Sequence, residues 1–247
     1  MYTFLIQTVN GQIVHDFAFE LLEAIRYHEW FYDKPQYEYI LSEEPHRPIM
    51  PNKIQYYPLD QVIPIGTVEF VTNYIRQYYK KECKPLNIPQ ELQKPEYLKR
   101  WVNNVVVCHE PIVNTKTYPI FVKDTTKIKG FINIINQGDT CPVGSYLMSE
   151  CVDIESEWRA FVHKNQLVGL QNYLGDFTMF PDVELIEAMI NDFNDSPPAY
   201  TLDVGINKDG TFIIEVHNFF SCGLYGFRDY KILPAMFISA FAWQLER

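Results

Sequence analysis

Apolar residues along this chain fall into two regimes. Through the first 80 residues, short apolar runs alternate with stretches of helical period. TFLIQTV near the start reads as a strand. Phe17, Leu21, Leu22 and Ile25 then recur at three- and four-residue spacing and predict a helix to about Phe31. YEYIL is a second short strand. A connection carrying Pro45, Pro48, Pro51 and Pro58 follows, and VIPIGTVEFVTNYIRQYY predicts a strand, a turn at Gly66 and a helix. Strands alternating with helices predict a small α/β unit with parallel strands. From Cys83 to Pro95 the composition turns to Lys, Pro and Gln, which marks a linker.

Beyond Tyr97 the pattern changes. YPIFVK, FINII, SYLMSECV and the long pair SEWRAFVHKNQLVGLQNYLG read as strands, with the loop DTTKIKG between the first two. A helix is expected around Val183 to Phe193, a hairpin over residues 201–217, and a closing apolar helix from about Pro234 to Glu246. Antiparallel strands with helices on one face describe an α+β domain, and no internal repeat is present. The expected division is residues 1–95 and 96–247.

Composition narrows the function classes. The 247 residues are 47% hydrophobic and 15% aromatic, enough for a substantial core. A net charge of −10 argues against a nucleic-acid-binding surface, which needs a concentrated basic stripe. No apolar run approaches the roughly 18 to 20 residues of a membrane span, and MYTFLIQTVNGQ lacks the basic start and cleavage site of a signal peptide. The five cysteines (Cys83, Cys108, Cys141, Cys151 and Cys222) form no CxxC pair, so free thiols in a reducing cytoplasm are expected.

The chemistry concentrates in TLDVGINKDGTFIIEVHNFFSCGLYGF, residues 201–227. Each strand of the hairpin carries one carboxylate among apolar residues, Asp203 and Glu215, and carboxylates enter buried strands only when something pairs with them. A three-residue loop, Lys208 to Gly210 with Gly210 left-handed, sets Asp203 opposite Glu215. A four-residue loop opposes Asp203 with Ile214 and sends the carboxylates to different faces. Glu215 and His217 share a face in either case. Clustered carboxylates with a third polar group suit Mg2+ held jointly with phosphate oxygens; the competing reading is an acidic pair on a solvated sheet surface. His217 reads as a metal ligand, a base or a satisfied core histidine, the last being the commonest state of a lone histidine. Asn218 reads as a turn cap or a phosphate contact, and Cys222 as small core packing.

Upstream, Lys123 ends an apolar strand and Lys127, Lys129 and Gly130 lie in the loop that follows, a plausible clamp for polyphosphate; the alternative is a solvated lysine cluster. In SEWRAFV, Glu157, Arg159 and Phe161 share one face, and Trp158, Ala160 and Val162 the other. Glu157 and Arg159 either pair with each other or face a ligand. The chain has no P-loop run.

Taken in this order, Lys123, Lys129, Arg159, Asp203 and Glu215 resemble the ATP-grasp superfamily over roughly Tyr118 to Phe227. The likeness is to the clade named for one arginine and two lysines, often found in phage and bacterial genomes, with Lys127 competing for the place of Lys129. The resemblance implies an ATP-grasp fold at residues 96–247, with nucleotide between two subdomains, preceded by a small α/β domain at 1–95. It implies that Lys123 and Lys129 bind ATP phosphates, the latter from a lid, and that Glu150, Cys151 and Val152 form the hinge whose backbone reads adenine. Glu157 would bind ribose, Arg159 would face the transferred phosphoryl group, and Asp203 and Glu215 would hold Mg2+. The superfamily's Glu-x-Asn ending here reads Glu215-Val216-His217, with Asn218 one place later, so the third ligand is His217 or Asn218. The implied reaction joins a carboxylate of a small molecule, peptide or protein to an amine through an acylphosphate. The alternatives are phosphoryl transfer on the same scaffold and a nucleotide-binding module without catalysis.

Overall fold

The computed structural model describes residues 1–50, 55–107 and 118–246; Pro51 and Cys108 lie outside the described residues. The first unit is the expected parallel one. Strands β1 (Tyr2–Gln7), β2 (Tyr37–Ser42) and β3 (Val62–Ile65) form a sheet in the order β2-β1-β3, with helix α1 (Asp16–Tyr32) between β1 and β2 and helix α2 (Val68–Tyr79) directly after β3. The centre strand is buried on both faces from Thr3 to Ile6, as helix-covered parallel strands are. Thr67 caps α2 by accepting from the Phe70 amide at 3.2 Å, while its own amide donates to Gln7 at 2.7 Å.

The stretch expected to be a linker is more than a tether. Ile88 and Leu92 are buried, and the Asn87 carbonyl accepts the Val216 amide at 2.7 Å. Among its lysines and prolines, those two apolar residues are enough to draw the segment onto the second core. A single turn α3 (Pro95–Leu98) buries Tyr97 and Leu98 there as well.

Two four-stranded antiparallel sheets follow. Strands β4 (Val102–Val107), β5 (Ile120–Asp124), β6 (Ile132–Ile135) and β7 (Gly144–Glu150) are ordered β4-β7-β5-β6. The strand β4, in VNNVVV, is absent from the sequence reading because two asparagines interrupt its alternation. Strands β8 (Ser156–His163) and β9 (Gln166–Gly175), helix α4 (Val183–Asp192), and strands β10 (Ala199–Asn207) and β11 (Gly210–Asn218) build the other sheet, ordered β11-β10-β8-β9. Its one face, with Ala160, Val162, Leu202, Val204 and Val216, packs on Ile186, Met189 and Ile190 of α4. The alternation of β8 and β10 therefore turns Arg159 and Asp203 to the opposite face.

The closing helix α5 (Leu233–Glu246) returns to the first unit. Phe237 and Phe241 join Phe17, Leu21 and the parallel sheet in one core, which Phe161 and Phe219 extend toward the second unit. Among the described residues no helix is long and apolar enough to cross a membrane, and Cys83, Cys141, Cys151 and Cys222 are free thiols.

Phe237 is 1% exposed, at the place where that core crosses from one unit to the other. Phe237→Ala should cost about 3–5 kcal/mol, read as a lowered urea midpoint at unchanged slope.

Candidate functional site

The hairpin that carries both carboxylates turns more tightly than either loop considered from sequence. Asn207 pairs with Gly210, leaving the two-residue turn Lys208–Asp209, and Gly210 takes φ +95°. Continued without interruption, that register would oppose Asp203 with Ile214. It does not continue: Val204 pairs with Ile213 and Asp203 with Glu215, so Ile214 is the extra residue of a β-bulge. The two carboxylates face each other as the three-residue loop would have set them, but the bulge is the cause.

Asp203 is 2% exposed and paired in full. Arg159, directly across from it on β8, donates through Nε and Nη2 to its two oxygens, each at 2.8 Å. The third guanidinium nitrogen, Nη1, donates to the Gly223 carbonyl at 3.2 Å. The rings of Tyr173 and Tyr225 stack on each other and lie 5.5 and 5.2 Å from the guanidinium carbon. Burial pushes the Asp203 carboxyl upward, but its hydrogen bonds from Arg159 and His217 outweigh burial and hold it below the usual carboxylate range. Burial alone would weaken the charge on Arg159; the Asp203 carboxylate reverses this and raises it. Glu157, on the same strand, pairs with Tyr173 rather than Arg159, accepting from its hydroxyl at 2.6 Å.

His217 completes the group. Its Nε2 lies 2.9 Å from Glu215 Oε1 and 3.4 Å from Asp203 Oδ2. One donor atom from each of Asp203, Glu215 and His217 falls within 4.8 Å of the others, the chemistry of a divalent-metal site. The Lys123 ammonium sits against Glu215 Oε2. Burial draws its pKa down to about 8, with the Asp203 charge opposing. Asn218 points elsewhere with its amide nitrogen, which donates to the Lys84 carbonyl at 2.9 Å.

Two cavities meet at this group. The first, of about 320 Å³, lies between the two antiparallel sheets. Alternation along β5 and β7 sends Ile120, Val122, Tyr146 and Met148 into a core, and Phe121, Lys123, Leu147 and Ser149 into the cavity. Ile132 and Ile134 on β6 are 59% and 54% exposed and line the same space, with Ile154, Phe212 and Ile214 also in its lining. Glu150, Cys151, Val152 and Glu157 border it. Glu150 ends β7, and Cys151 and Val152 belong to the connection to β8 rather than to a strand.

The second cavity, of about 410 Å³, carries more polar and charged groups than the first. It is lined by Lys127 and Lys129 of the loop after β5, by Arg159, His217 and Asn218, and by Cys222 and Tyr225. Lys123 and Glu215 line both, so the two are continuous. The loop is organised by Asp124, whose Oδ1 accepts from the Thr126 amide and hydroxyl at 2.7 Å and the Lys127 amide at 3.3 Å. Gly130 passes so close to Asp124 that a Cβ would lie 2.6 Å from its Cβ. Lys129 reaches to Glu69 on α2, at 3.1 and 3.2 Å from its two oxygens.

Four participants were not visible in the sequence. Asn87 lines both cavities, with a buried Oδ1 that has no partner among the described residues. Nothing in its Lys- and Pro-rich surroundings marks it. Arg100 donates to the Ile213 carbonyl at 2.9 Å beside the bulge. Tyr173 lies one strand over from Arg159. Asp16, at the start of α1, accepts from the Leu224 and Tyr225 amides at 2.7 and 3.3 Å and so ties their loop to the first unit.

A family model described as ATP-grasp domain, R-2-K clade family 2, matches residues 97–234, more than half of the chain. In structure the chain is similar to D-alanine–D-alanine ligase from Bacillus anthracis complexed with ATP, at 11% identity and a TM-score of 0.52 over 100% of this chain and 98% of that one. It is also similar to a RimK domain protein ATP-grasp from Sphaerobacter thermophilus, at 12% identity and 0.52 over 99% of each chain. A third similar structure is N5-carboxyaminoimidazole synthetase from Staphylococcus aureus, at 14% identity and 0.53 over 96% of this chain and 77% of that one. At these identities the likeness is one of fold. No curated protein matches the chain.

Three outcomes follow from the geometry. Arg159→Met strands a buried carboxylate and should destabilise the protein by about 3–5 kcal/mol at pH 7. Because the folded-state pKa of Asp203 is depressed, the stability it contributes is fully present above about pH 4 and is lost as pH falls through the lower folded value. Asp203→Asn should therefore flatten the acid limb of the stability curve, measured by urea unfolding between pH 7 and 2.5. Burial pushes the Cys222 thiol up to about 12, so iodoacetamide at pH 8 should leave it unlabelled in the folded protein, as peptide mass mapping will read.

Proposed function

This chain belongs to the ATP-grasp superfamily, in family 2 of its R-2-K clade, and from that premise we propose that it is an ATP- and divalent-metal-dependent ligase joining a carboxylate to an amine. The observation that carries this reading is the junction at Lys123 and Glu215. There an apolar slot suited to a flat base opens into a chamber lined by Lys123, Arg159 and charged groups of the Asp203–Glu215–His217 cluster.

In this reading adenine lies between Ile132, Ile134 and Phe212, along the backbone of Glu150 to Val152, and Glu157 accepts from the ribose hydroxyls. Lys123 draws phosphate oxygens from a fixed, half-buried position, while Lys129 exchanges Glu69 for phosphate from the lid loop. Asp203, Glu215 and His217 offer a donor set that fits a divalent metal, Mg2+ in the first instance, with Asn218 the alternative third ligand. When bound, the metal would offset phosphate charge. A carboxylate oxygen of the first substrate attacks the γ-phosphorus, the bond to the ADP oxygen breaks, and an acylphosphate forms. The amine then attacks the acyl carbon, phosphate leaves and the nitrogen gives up a proton. Arg159 is pinned by Asp203 yet keeps two N–H groups free of those bonds, so it can stabilise the transferring phosphoryl group without reorganising. No side chain acts as nucleophile. Residues 1–95, with the loop at 219–227, would form the wall facing the acceptor. The free thiols agree with a cytoplasmic setting.

The test is ADP release against a panel of amino acids and peptides, with product mass. Stimulated turnover should yield an amide, and Asp203→Ala and Glu215→Ala should each lower kcat by about 10²-fold or more. A stable phosphorylated product, or full activity in both variants, would overturn the reading.

A further inference from the structure

Resting on the reading of the hairpin as the metal end of the site, we infer that His217 makes this a mixed oxygen–nitrogen site that takes a first-row transition dication in preference to Mg2+. Three features of the chain lead there. Glu215 and His217 are two residues apart on β11 and share a face, and the bulge at Ile214 brings Asp203 onto that same face. The imidazole Nε2, rather than a carbon edge, is turned to both carboxylates, at 2.9 and 3.4 Å. Neighbouring corners of an octahedron with bonds of about 2.1 Å lie about 3.0 Å apart, so these separations match three ligands disposed around one ion. The third feature is charge: Arg159 already holds both oxygens of Asp203, the Oδ2 that faces His217 included, and Lys123 sits against Glu215 Oε2, the oxygen away from His217. Those cations lower the negative charge available to a hard ion and leave the imidazole nitrogen a larger share of the binding.

The chemistry of the donor then decides between metals. Mg2+ binds oxygen almost exclusively and keeps its waters. Mn2+, Fe2+ and Co2+ accept octahedral geometry of nearly the same size while gaining from an imidazole ligand. Exchanging a carboxamide oxygen for Nε2 therefore shifts preference toward them without moving the carboxylates.

Titrating Mn2+ and Mg2+ calorimetrically into the whole chain, with and without a non-hydrolysable ATP analogue, measures the preference. Pulsed electron paramagnetic resonance of the Mn2+ complex detects a coordinated imidazole nitrogen directly. The wild type should favour Mn2+ over Mg2+ by on the order of tenfold more than His217→Asn does, and the nitrogen coupling should vanish in that variant. The nucleotide's own metal preference is common to both proteins and cancels in the comparison. An equal Mn2+ to Mg2+ ratio in the two proteins, absence of nitrogen coupling, or no Mn2+ binding would overturn the inference. Failure of the ATP reading is separate: the analogue would not bind, while nucleotide-free Mn2+ could still show nitrogen coupling. Conversely, analogue binding with uncoupled Mn2+ sinks the metal inference alone.

Discussion

The pairing of Arg159 with Asp203 is the constraint around which the site is arranged. Both residues are nearly excluded from water, at 8% and 2% exposure, and a buried charge persists only with a matched partner. The pair meets that requirement by sitting directly opposite across β8 and β10. A one-residue slip between those strands would send one of the two into the core of Leu202 and Val204 and leave the other unpaired. The ion pair thus opposes register error alongside the apolar alternation. It also reaches beyond the sheet, because the remaining guanidinium contact fixes Gly223, and with it the loop that Asp16 holds from the other unit.

Around that fixed pair, the bulge at Ile214 is what makes the wall multivalent. A regular ladder from the two-residue turn would have placed Glu215 across from Leu202 and turned it away from Asp203. One extra residue corrects the phase, and the edges around it are secured from outside the hairpin: Arg100 binds the carbonyl of Ile213, and Asn87 binds the amide of Val216. Bulges interrupt a ladder and need such external partners. The segment that resembles a linker supplies one of them, which explains why its few apolar residues are buried.

The elements other than β4 were legible from pattern because their periods are local. Phe17 to Ile25, the alternation of SEWRAFV and the turn at Lys208–Gly210 each carry their own signal, and the parallel first unit and antiparallel second unit follow from them. What was not legible depends on tertiary partners. The facing of Asp203 and Glu215 was left to the choice between a three- and a four-residue loop, since a bulge has no local signature. Glu157 and Arg159, adjacent on one strand face, were open to pairing with each other; Tyr173 and Asp203 claim them instead, from strands not yet placed. Asn87 and Asp16 carry no motif at all, and only the packed chain shows what they hold. The return of α5 to the first core is of the same kind, since an apolar helix does not announce which face it will cover.

The cations of the site divide into held and released, and this division bears on how a highly charged ligand could enter. Arg159, buried, and Lys123, half-buried, sit against carboxylates, where attraction is stronger than at the open surface. Lys129 is the opposite case. Its ion pair with Glu69 is exposed on both sides, at 60% and 62%, and pairs of that kind contribute about 0–1 kcal/mol. The loop beneath it is nevertheless shaped by the Asp124 hydrogen bonds and by the close approach of Gly130. A rigid loop bearing a weakly tethered lysine can give up one carboxylate for a polyphosphate at little cost, whereas the inner cations could not be moved without stranding Asp203 or Glu215. The fold therefore sets its strong pairs inside the sheet and its weak one on the exposed loop, where exchanging a carboxylate for another anion costs least.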